Sequence, residues 1–169
     1  MEYLDIYDKN RTFTGKQILR SKNMKLNDNE FINIVIVFIE NSKGEFLIQK
    51  TSKEKGSVFA TTGGHVKSGS SPDIAIIEEI KEELGIDVNI NELKLIKTDI
   101  RRHVLQDTYY LKKDIDISDI VVQESEVEYV LWLSKNKINK LIENGEFREG
   151  NIVPYQYIIN SYKSLKNIL

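Results

Sequence analysis

The sequence contains no cysteine and only two histidines, His65 and His103. Without cysteine, the chain has no disulfide framework, no thiolate metal site and no cysteine nucleophile. With so few imidazoles, any metal site must be built mainly from oxygen ligands. Such ligands favour magnesium, manganese or calcium over softer cations.

The chain also lacks an excess of positive charge and a long hydrophobic run. Its 24 lysines and arginines face 26 acids, a formal net charge of −2. No global basic field therefore predicts a nucleic-acid partner, and phosphate recognition must be local. No apolar stretch approaches the roughly 18 residues of a membrane span, and "MEYLDIYDKN" is charged where a signal peptide is apolar. We expect a cytoplasmic protein without a membrane partner.

The length and composition predict one globular domain over residues 1–169, since 169 residues with 40% hydrophobic content suit a single core. Segments rich in β-branched and aromatic residues predict five strands, the first two forming a hairpin: 31–40, 46–51, 93–103, 104–113 and 127–134. Residues 58–71 are glycine-rich and predict a loop. Strands mixed with a few helices indicate an α+β fold with a mixed sheet flanked by helices.

Three segments have helical spacing. The first begins at Pro72, is capped by Ser70 or Ser71 and ends before Gly85. The second covers 135–145. The third covers 153–169 and carries an apolar stripe that predicts core packing: Tyr155, Ile158, Ile159, Tyr162 and Leu165.

The first helix carries four glutamates in six positions: Glu78, Glu79, Glu82 and Glu83. At 100° per residue they share about 140° of arc, with the isoleucines and Leu84 opposite. A solvated acidic face is one interpretation. It conflicts with the like-charged i,i+4 pairs, roughly 0.2–0.5 kcal/mol each, and with the helix macrodipole, about 0.3–1 kcal/mol per anion. The other interpretation is a divalent cation bound by these carboxylates, which reverses both penalties.

The segment "TTGGHV" before this helix favours the cation. Gly63 and Gly64 allow the backbone to approach a ligand closely, and a glycine carbonyl adds an oxygen ligand. A pair of glycines is a weak signal alone, but its fixed spacing from the acidic helix is specific.

This combination resembles the box of the Nudix hydrolases, G-x5-E-x7-R-E-U-x-E-E-x-G-U, where U is aliphatic. The spacing matches throughout residues 64–86, starting at Gly64. Ser70 replaces the first Glu of the box and Glu78 replaces its Arg. Likeness to a subgroup related to isopentenyl diphosphate isomerase extends through "FINIVIVFIENSKGEFLIQKTSKEK" and "VEYVLWLSKNKINKLIENGEF".

The resemblance implies a Nudix α/β/α sandwich and Mg²⁺- or Mn²⁺-dependent hydrolysis of a nucleoside diphosphate linked to another group. It implies that Glu79, Glu82 and Glu83 are the catalytic and metal-binding glutamates, and that the Gly64 carbonyl is a further metal contact. An additional acid is expected from the region before the last strand, where Glu126 is our choice. The expected partner is a small nucleotide or another diphosphate. Because many relatives pair, a homodimer is also an expectation.

Four further residues are candidates for substrate binding: Lys53, Lys55, Arg101 and His65. The lysines precede the glycine segment, and His65 follows Gly64. Arg101 and Arg102 alternate along a strand, so one of them is expected to point into a cleft. Tyr109 and Tyr110 alternate likewise, which leaves base stacking and core packing open for each.

Ser70 and Glu78 leave two interpretations of activity. In one, a cation such as Lys53, Lys55, Arg101 or Arg102 replaces the missing guanidinium and the chain is an active hydrolase. In the other, the chain is a non-catalytic nucleotide-binding module that retains the fold. An isopentenyl diphosphate isomerase is disfavoured because that enzyme relies on a catalytic cysteine.

Overall fold

The computed structural model describes residues 1–163. In this part of the chain nine strands form: β1 (Tyr3–Tyr7), β2 (Phe13–Leu19), β3 (Ile32–Glu40), β4 (Phe46–Thr51), β5 (Phe59–Ala60), β6 (Thr62–His65), β7 (Lys94–Arg101), β8 (Val104–Lys112) and β9 (Val127–Leu133). Three helices accompany them: α1 (Pro72–Leu84), α2 (Lys135–Glu143) and α3 (Glu149–Tyr157). None of the helices within residues 1–163 is long and apolar enough to cross a membrane.

The main sheet is mixed and splits into two parts. β3 pairs in parallel with β8 and antiparallel with β6, and β8 pairs antiparallel with β7. β4 instead pairs with β9 and β5. The predicted hairpin of β3 and β4 is therefore wrong beyond its turn, because the two strands pair only at Glu40 and Phe46. They diverge because each finds its long ladder with a strand distant in sequence.

The segment 58–71, predicted as a loop, contains β5 and β6. β5 pairs with β4, and β6 then crosses to pair with β3. Thr61 joins the crossing to the sheet, since its hydroxyl donates to the Val37 carbonyl. This crossing places Gly63 and Gly64 where β3 and β4 diverge.

Side-chain alternation along β3 builds a core on each face of the sheet. Val35, Val37 and Ile39 pack with α1 on one face. Ile36 and Phe38 pack on the other face, with α2 and α3. Burial on both faces explains the nearly continuous apolar run of β3. The layers form the predicted α/β/α sandwich.

Helix α1 begins and ends where its sequence predicts. The Ser71 hydroxyl accepts a hydrogen bond from the Ile74 N–H at 3.4 Å, and Pro72 occupies the first turn. Gly85 ends the helix in the left-handed region at φ 70°. These features confirm the cap, the proline and the glycine stop that local chemistry favours.

The C-terminal helix starts four residues earlier than predicted, at Glu149, and continues as a π-helical turn over Ile158–Tyr162. Tyr155 and Ile158 are fully buried, with Ile159 and Tyr162 packed beside them. The stripe therefore packs in the core as predicted. Leu165 lies outside the described residues.

An N-terminal ribbon of β1 and β2 holds the segment that leads into α1. Leu4 pairs with Lys67, and the Asp5 carboxylate accepts hydrogen bonds from the Ser68 hydroxyl at 2.6 Å and the Gly69 N–H at 2.9 Å. The ribbon thereby fixes Lys67 in front of the helix.

Candidate active site

A cleft of about 440 Å³ opens where β3 and β4 diverge. Its walls come from β3, β4, β6 and α1, with further residues from the chain before β9 and the start of α3. The split in the sheet therefore brings together side chains that are far apart in sequence.

The two glycines are required by close packing. A Cβ on Gly63 would stand 2.8 Å from the Ile36 Cα and collide with the Val35 carbonyl. A Cβ on Gly64 would collide with the Glu79 carboxylate, whose second oxygen would lie at 2.7 Å. Gly64 therefore allows the Glu79 carboxylate to lie directly against the β6 backbone.

Glu79 and Glu83 lie one helical turn apart and turn inward. Glu83 is only 5% exposed, and its carboxylate accepts a long hydrogen bond from the Gly63 N–H at 3.4 Å. Burial and the neighbouring Glu79 charge raise the pKa of Glu83 to about 8. Burial and the Glu82 charge raise the pKa of Glu79 to about 7. Two carboxyl groups are thus held in a site that disfavours their charge unless a cation joins them.

Glu82 faces a cation from the preceding loop. The Lys67 ammonium lies 3.1 Å from the Glu82 carboxylate. The Glu82 hydrogen bond raises the pKa of Lys67, with further contributions from the charges of Glu78 and Glu2. Glu78 itself is exposed.

Glu126 reaches the cleft from the segment before β9. Its carboxylate forms an ion pair with Lys55 at 2.7 Å, and its backbone carbonyl accepts a hydrogen bond from the Ser52 N–H. Its charge also raises the pKa of Glu79 and Glu83. The structure therefore brings Glu126 to the same cleft as Glu79, Glu82 and Glu83 of α1.

The other predicted residues are placed differently. Lys55, Arg101 and His65 line the cleft. Lys53 is exposed on a short 3₁₀ turn and is not among the cleft-lining residues. Arg102 lies in the turn after β7, at φ 53°, also outside that lining. Burial and the positive charge of Arg20 lower the pKa of His65 to about 4, so its imidazole is neutral at pH 7.

Both tyrosines of β8 are core residues. Tyr109 is 2% exposed and donates to the Asp73 carboxylate at 2.5 Å. Tyr110 is 4% exposed and donates to the buried Glu40 carboxylate at 2.6 Å. They alternate between the two faces as predicted, and neither lines the cleft.

Sequence reasoning missed three cations of the cleft: Arg20, Lys67 and Arg148. Lys67 could have been noticed, because it follows Gly64 by three positions in the loop that leads to α1. Arg20 comes from the end of β2 and forms an ion pair with Glu2 at 2.7 Å. Arg148 precedes α3. For the last two the local sequence holds no signal, because only tertiary packing brings them near the glutamates.

The cleft suits a hard divalent cation. Its donors are carboxylate and carbonyl oxygens, and its two most buried carboxylates have no cationic side chain within 4.0 Å in the part of the chain described. Within residues 1–163 no group of three acidic or histidine side chains lies close enough together to hold a metal ion. Glu82 and Glu126 are each held by a lysine instead. Cation binding therefore requires these ion pairs to open.

Comparison with known proteins identifies the family. A NUDIX domain model matches residues 31–158. An uncharacterized Nudix hydrolase from Listeria innocua is 31% identical over 171 residues, which cover 99% of this chain and 96% of the relative. A second one, from Listeria monocytogenes, is 30% identical over the same shares of both chains.

Solved structures share the fold. DR0079 from Deinococcus radiodurans matches with a TM-score of 0.74 at 22% identity, covering 86% of this chain and 91% of that one. An Ap4A hydrolase from C. elegans matches with a TM-score of 0.50 at 20% identity, covering 65% and 86%. With the family model and the sequence relatives, these likenesses lead to one conclusion: the chain belongs to the Nudix hydrolase family.

Proposed function

We propose that this protein is a magnesium-dependent pyrophosphohydrolase, acting on a nucleoside diphosphate linked to another group. One observation carries the proposal: Glu79 and Glu83 line the cleft one helical turn apart, burial raises the pKa of both, and within residues 1–163 no lysine or arginine nitrogen lies within 4.0 Å of either carboxylate. A fold retains such an unfavourable pair at a functional site more readily than in a merely structural helix. The cytoplasmic location and the homodimer stay predictions from the sequence.

The cation would be held by Glu79, Glu82, Glu83 and the Gly64 carbonyl, with Glu126 beside them. A Mg²⁺ or Mn²⁺ ion held by these residues would neutralise pyrophosphate charge, lower the pKa of bound water and stabilise the departing phosphate. The backbones of α1 and β6 are fixed by the core, whereas Glu82 and Glu126 must first leave their ion pairs with Lys67 and Lys55.

The chain's own residues supply the rest of the reaction. Lys55, Lys67 and Arg148 line the cleft within reach of a polyphosphate. Glu79, held against Gly64, is placed to accept a proton from the attacking water. The water oxygen bonds to one phosphorus atom, the bridging P–O bond breaks, and two phosphate products leave. The neutral His65 imidazole adds no charge to the cleft.

The substitution of Glu78 for the box arginine is offset within the same region. Lys67 and Arg20 both lower the pKa of Glu79, and Lys67 also pairs with Glu82. We infer that Lys67, and not Lys53 or Arg102, supplies positive charge beside the catalytic glutamates. Ser70 lies near the start of α1, where its hydroxyl donates a long hydrogen bond of 3.5 Å to the Ser71 carbonyl.

The second candidate is a nucleotide-binding module without turnover. The ion pairs Lys67–Glu82 and Lys55–Glu126 favour it, because they neutralise two of the four acids without any metal. Binding without hydrolysis in the experiment below would select this candidate.

The test is a screen of purified protein against nucleoside diphosphates, triphosphates, sugar nucleotides and dinucleoside polyphosphates, with and without magnesium. Dinucleoside polyphosphates are included because the C. elegans protein with a similar fold is an Ap4A hydrolase. Release of phosphate or nucleoside monophosphate is followed. A Glu82→Gln/Glu83→Gln double variant is the control. Magnesium-dependent turnover that the double variant loses supports the hydrolase, and turnover that persists in the variant refutes the assigned glutamates.

A further inference from the structure

We propose that the cleft selects its substrate through an additional phosphate group, one outside the diphosphate that is hydrolysed. Arg101 and Arg148 would bind this phosphate, and the nucleobase would contribute little to selection. This inference rests on the proposed function and specifies its substrate class. It follows from two independent features of the cleft wall. Two arginines have no close acid that neutralises them, and among the described lining residues there is no phenylalanine, tyrosine or tryptophan on which a base could stack.

Most cations of the cleft are paired one to one with acids. Arg20 pairs with Glu2 at 2.7 Å, and the two lysines pair with glutamates at 2.7 and 3.1 Å. These pairs set the charge balance around α1. While these pairs are closed, an anionic ligand competes with an existing carboxylate for each of these three cations.

Arg148 is different. Within residues 1–163 no carboxylate lies within 4.0 Å of its guanidinium, which donates a 3.5 Å hydrogen bond to the Lys55 carbonyl. Although part of Arg148 is exposed, its surroundings are close enough that desolvation lowers its pKa, against the charges of Glu83 and Glu126. Arg148 lines the same cleft as the glutamates of α1, and a planar guanidinium offers several N–H donors to a phosphate.

Arg101 lies against Gly150, two positions after Arg148 in the first turn of α3. Gly150 gives it room, since a Cβ there would lie 2.5 Å from the Arg101 Nη2 atom. Its nearest acid in the described chain, Glu149, is 4.0 Å away and 82% exposed, which makes a weak pair. The buried Gln106 side chain fixes this corner by donating to the Gly150 carbonyl at 3.1 Å. Two arginines that lack a close, buried acid partner in the described chain therefore line the same cleft, Arg148 just before α3 and Arg101 against Gly150 in its first turn.

No phenylalanine, tyrosine or tryptophan among the described residues lines the cleft. Base recognition without sequence readout normally uses stacking on such rings, about 1–3 kcal/mol per base. His65 is the one ring in the described lining, and it belongs to β6, where the charge of Arg20 acts on it. The wall thus offers charge-assisted hydrogen bonds in place of a stacking platform, and phosphate oxygens match a guanidinium fork.

The experiment uses matched substrate pairs that differ by one phosphate: NAD and NADP, and dephospho-coenzyme A and coenzyme A. A charge-assisted hydrogen bond to the extra phosphate is worth roughly tenfold to a hundredfold in kcat/KM. We expect that preference in the wild type, with less than about tenfold variation among ADP, GDP, CDP and UDP as substrates. Dissociation constants for both pairs are measured by calorimetry alongside turnover.

Arg101→Ala should abolish the preference for the phosphorylated member of each pair. The matched control is Arg102→Ala, since Arg102 is the adjacent arginine, exposed in the turn and outside the cleft lining. It should keep the wild-type preference. The proposal is overturned if Arg101→Ala keeps a preference of the same size. It is also overturned if the variant loses kcat/KM equally for both members of a pair, because Arg101 would then act on the diphosphate that is hydrolysed.

The proposed function and this inference fail separately. In one outcome the protein turns over no substrate and still binds the phosphorylated member of each pair at least tenfold more tightly, in a way that depends on Arg101. This result refutes the proposed hydrolase activity and supports the phosphate subsite. Turnover of all substrates with equal kcat/KM within each pair, or a strong preference for one base, refutes the subsite and leaves the hydrolase intact.

Discussion

Replacing Glu83 by glutamine should stabilise the metal-free protein. The wild-type carboxyl group is 5% exposed, and its pKa is raised from 4.5 to about 8 by burial and by Glu79. Glutamine has nearly the same shape and can accept the same hydrogen bond from the Gly63 N–H. It carries no charge, so the folded state is no longer penalised at neutral and alkaline pH.

The size of the effect follows from the pKa displacement. Between pH 4.5 and about 8 the folded protein keeps a proton on Glu83 that the unfolded chain has released. The free energy of unfolding therefore falls as pH rises through this window. At about 1.4 kcal/mol per pKa unit, and with allowance for imperfect replacement, Glu83→Gln should stabilise by about 2 to 4 kcal/mol at pH 8. For a domain of this size that raises Tm by roughly 5–12 °C.

The assay is thermal unfolding in EDTA at pH 5, 6.5 and 8. We expect the gain of Glu83→Gln over wild type to be largest at pH 8 and nearly absent at pH 5, where the wild-type carboxyl is protonated when folded. Addition of magnesium should then raise the Tm of the wild type, because a cation that binds only the folded state stabilises it. The variant should lose most of this magnesium-dependent increase.

Glu82→Gln is the matched control. The Glu82 carboxylate is 46% exposed and paired with Lys67. Its removal should therefore change the free energy of unfolding of the metal-free protein by less than about 1 kcal/mol. A lower Tm for Glu83→Gln at pH 8 would refute the reasoning. So would a gain that does not depend on pH.

Two further substitutions test single contacts. Gly64→Ala should reduce magnesium-dependent turnover by about a hundredfold or more, measured as kcat/KM, because the new Cβ collides with the Glu79 carboxylate and displaces it. Lys163→Met should lower the free energy of unfolding by about 2 to 3 kcal/mol in urea titrations, because it leaves the 1%-exposed Glu40 carboxylate without its cation 2.5 Å away.

Each of these substitutions has a matched control. Gly69→Ala changes a glycine with open space around it and should keep activity, at the cost of strain from its φ of 78°. Lys113→Met breaks the exposed pair with Glu92 and should cost less than about 1 kcal/mol. Wild-type activity in Gly64→Ala would contradict the steric argument. Equal losses in the two lysine variants would contradict the role of burial at Glu40.

Local chemistry in the sequence determined the elements that depend on neighbours along the chain. The cap at Ser71, the proline after it and Gly85 set α1 because each acts within one turn. The glycine-to-glycine spacing of the box likewise identified the family before any contact was known. The alternation of Tyr109 and Tyr110 followed from strand geometry, and the structure places both in the core.

Strand pairing could not be read in the same way. β3 and β4 are joined by a short turn that favours a hairpin, yet each gains a longer ladder elsewhere, with β8 and β9. The strands β5 and β6 could not be predicted because they have only two and four residues, too few to show a period of two. They form strands because they pair with the edges of β4 and β3.

The charge pattern of the cleft was also decided by the tertiary structure. The sequence alone put four glutamates on one face of α1, but only packing distinguishes buried Glu83 from exposed Glu78. It likewise takes the folded sheet to bring Arg20 and Arg148 to the same cavity. Helix periodicity acts over a few residues and fixes a face. Charge pairing acts through space, so its partners come from whichever segments the two sheet halves bring together.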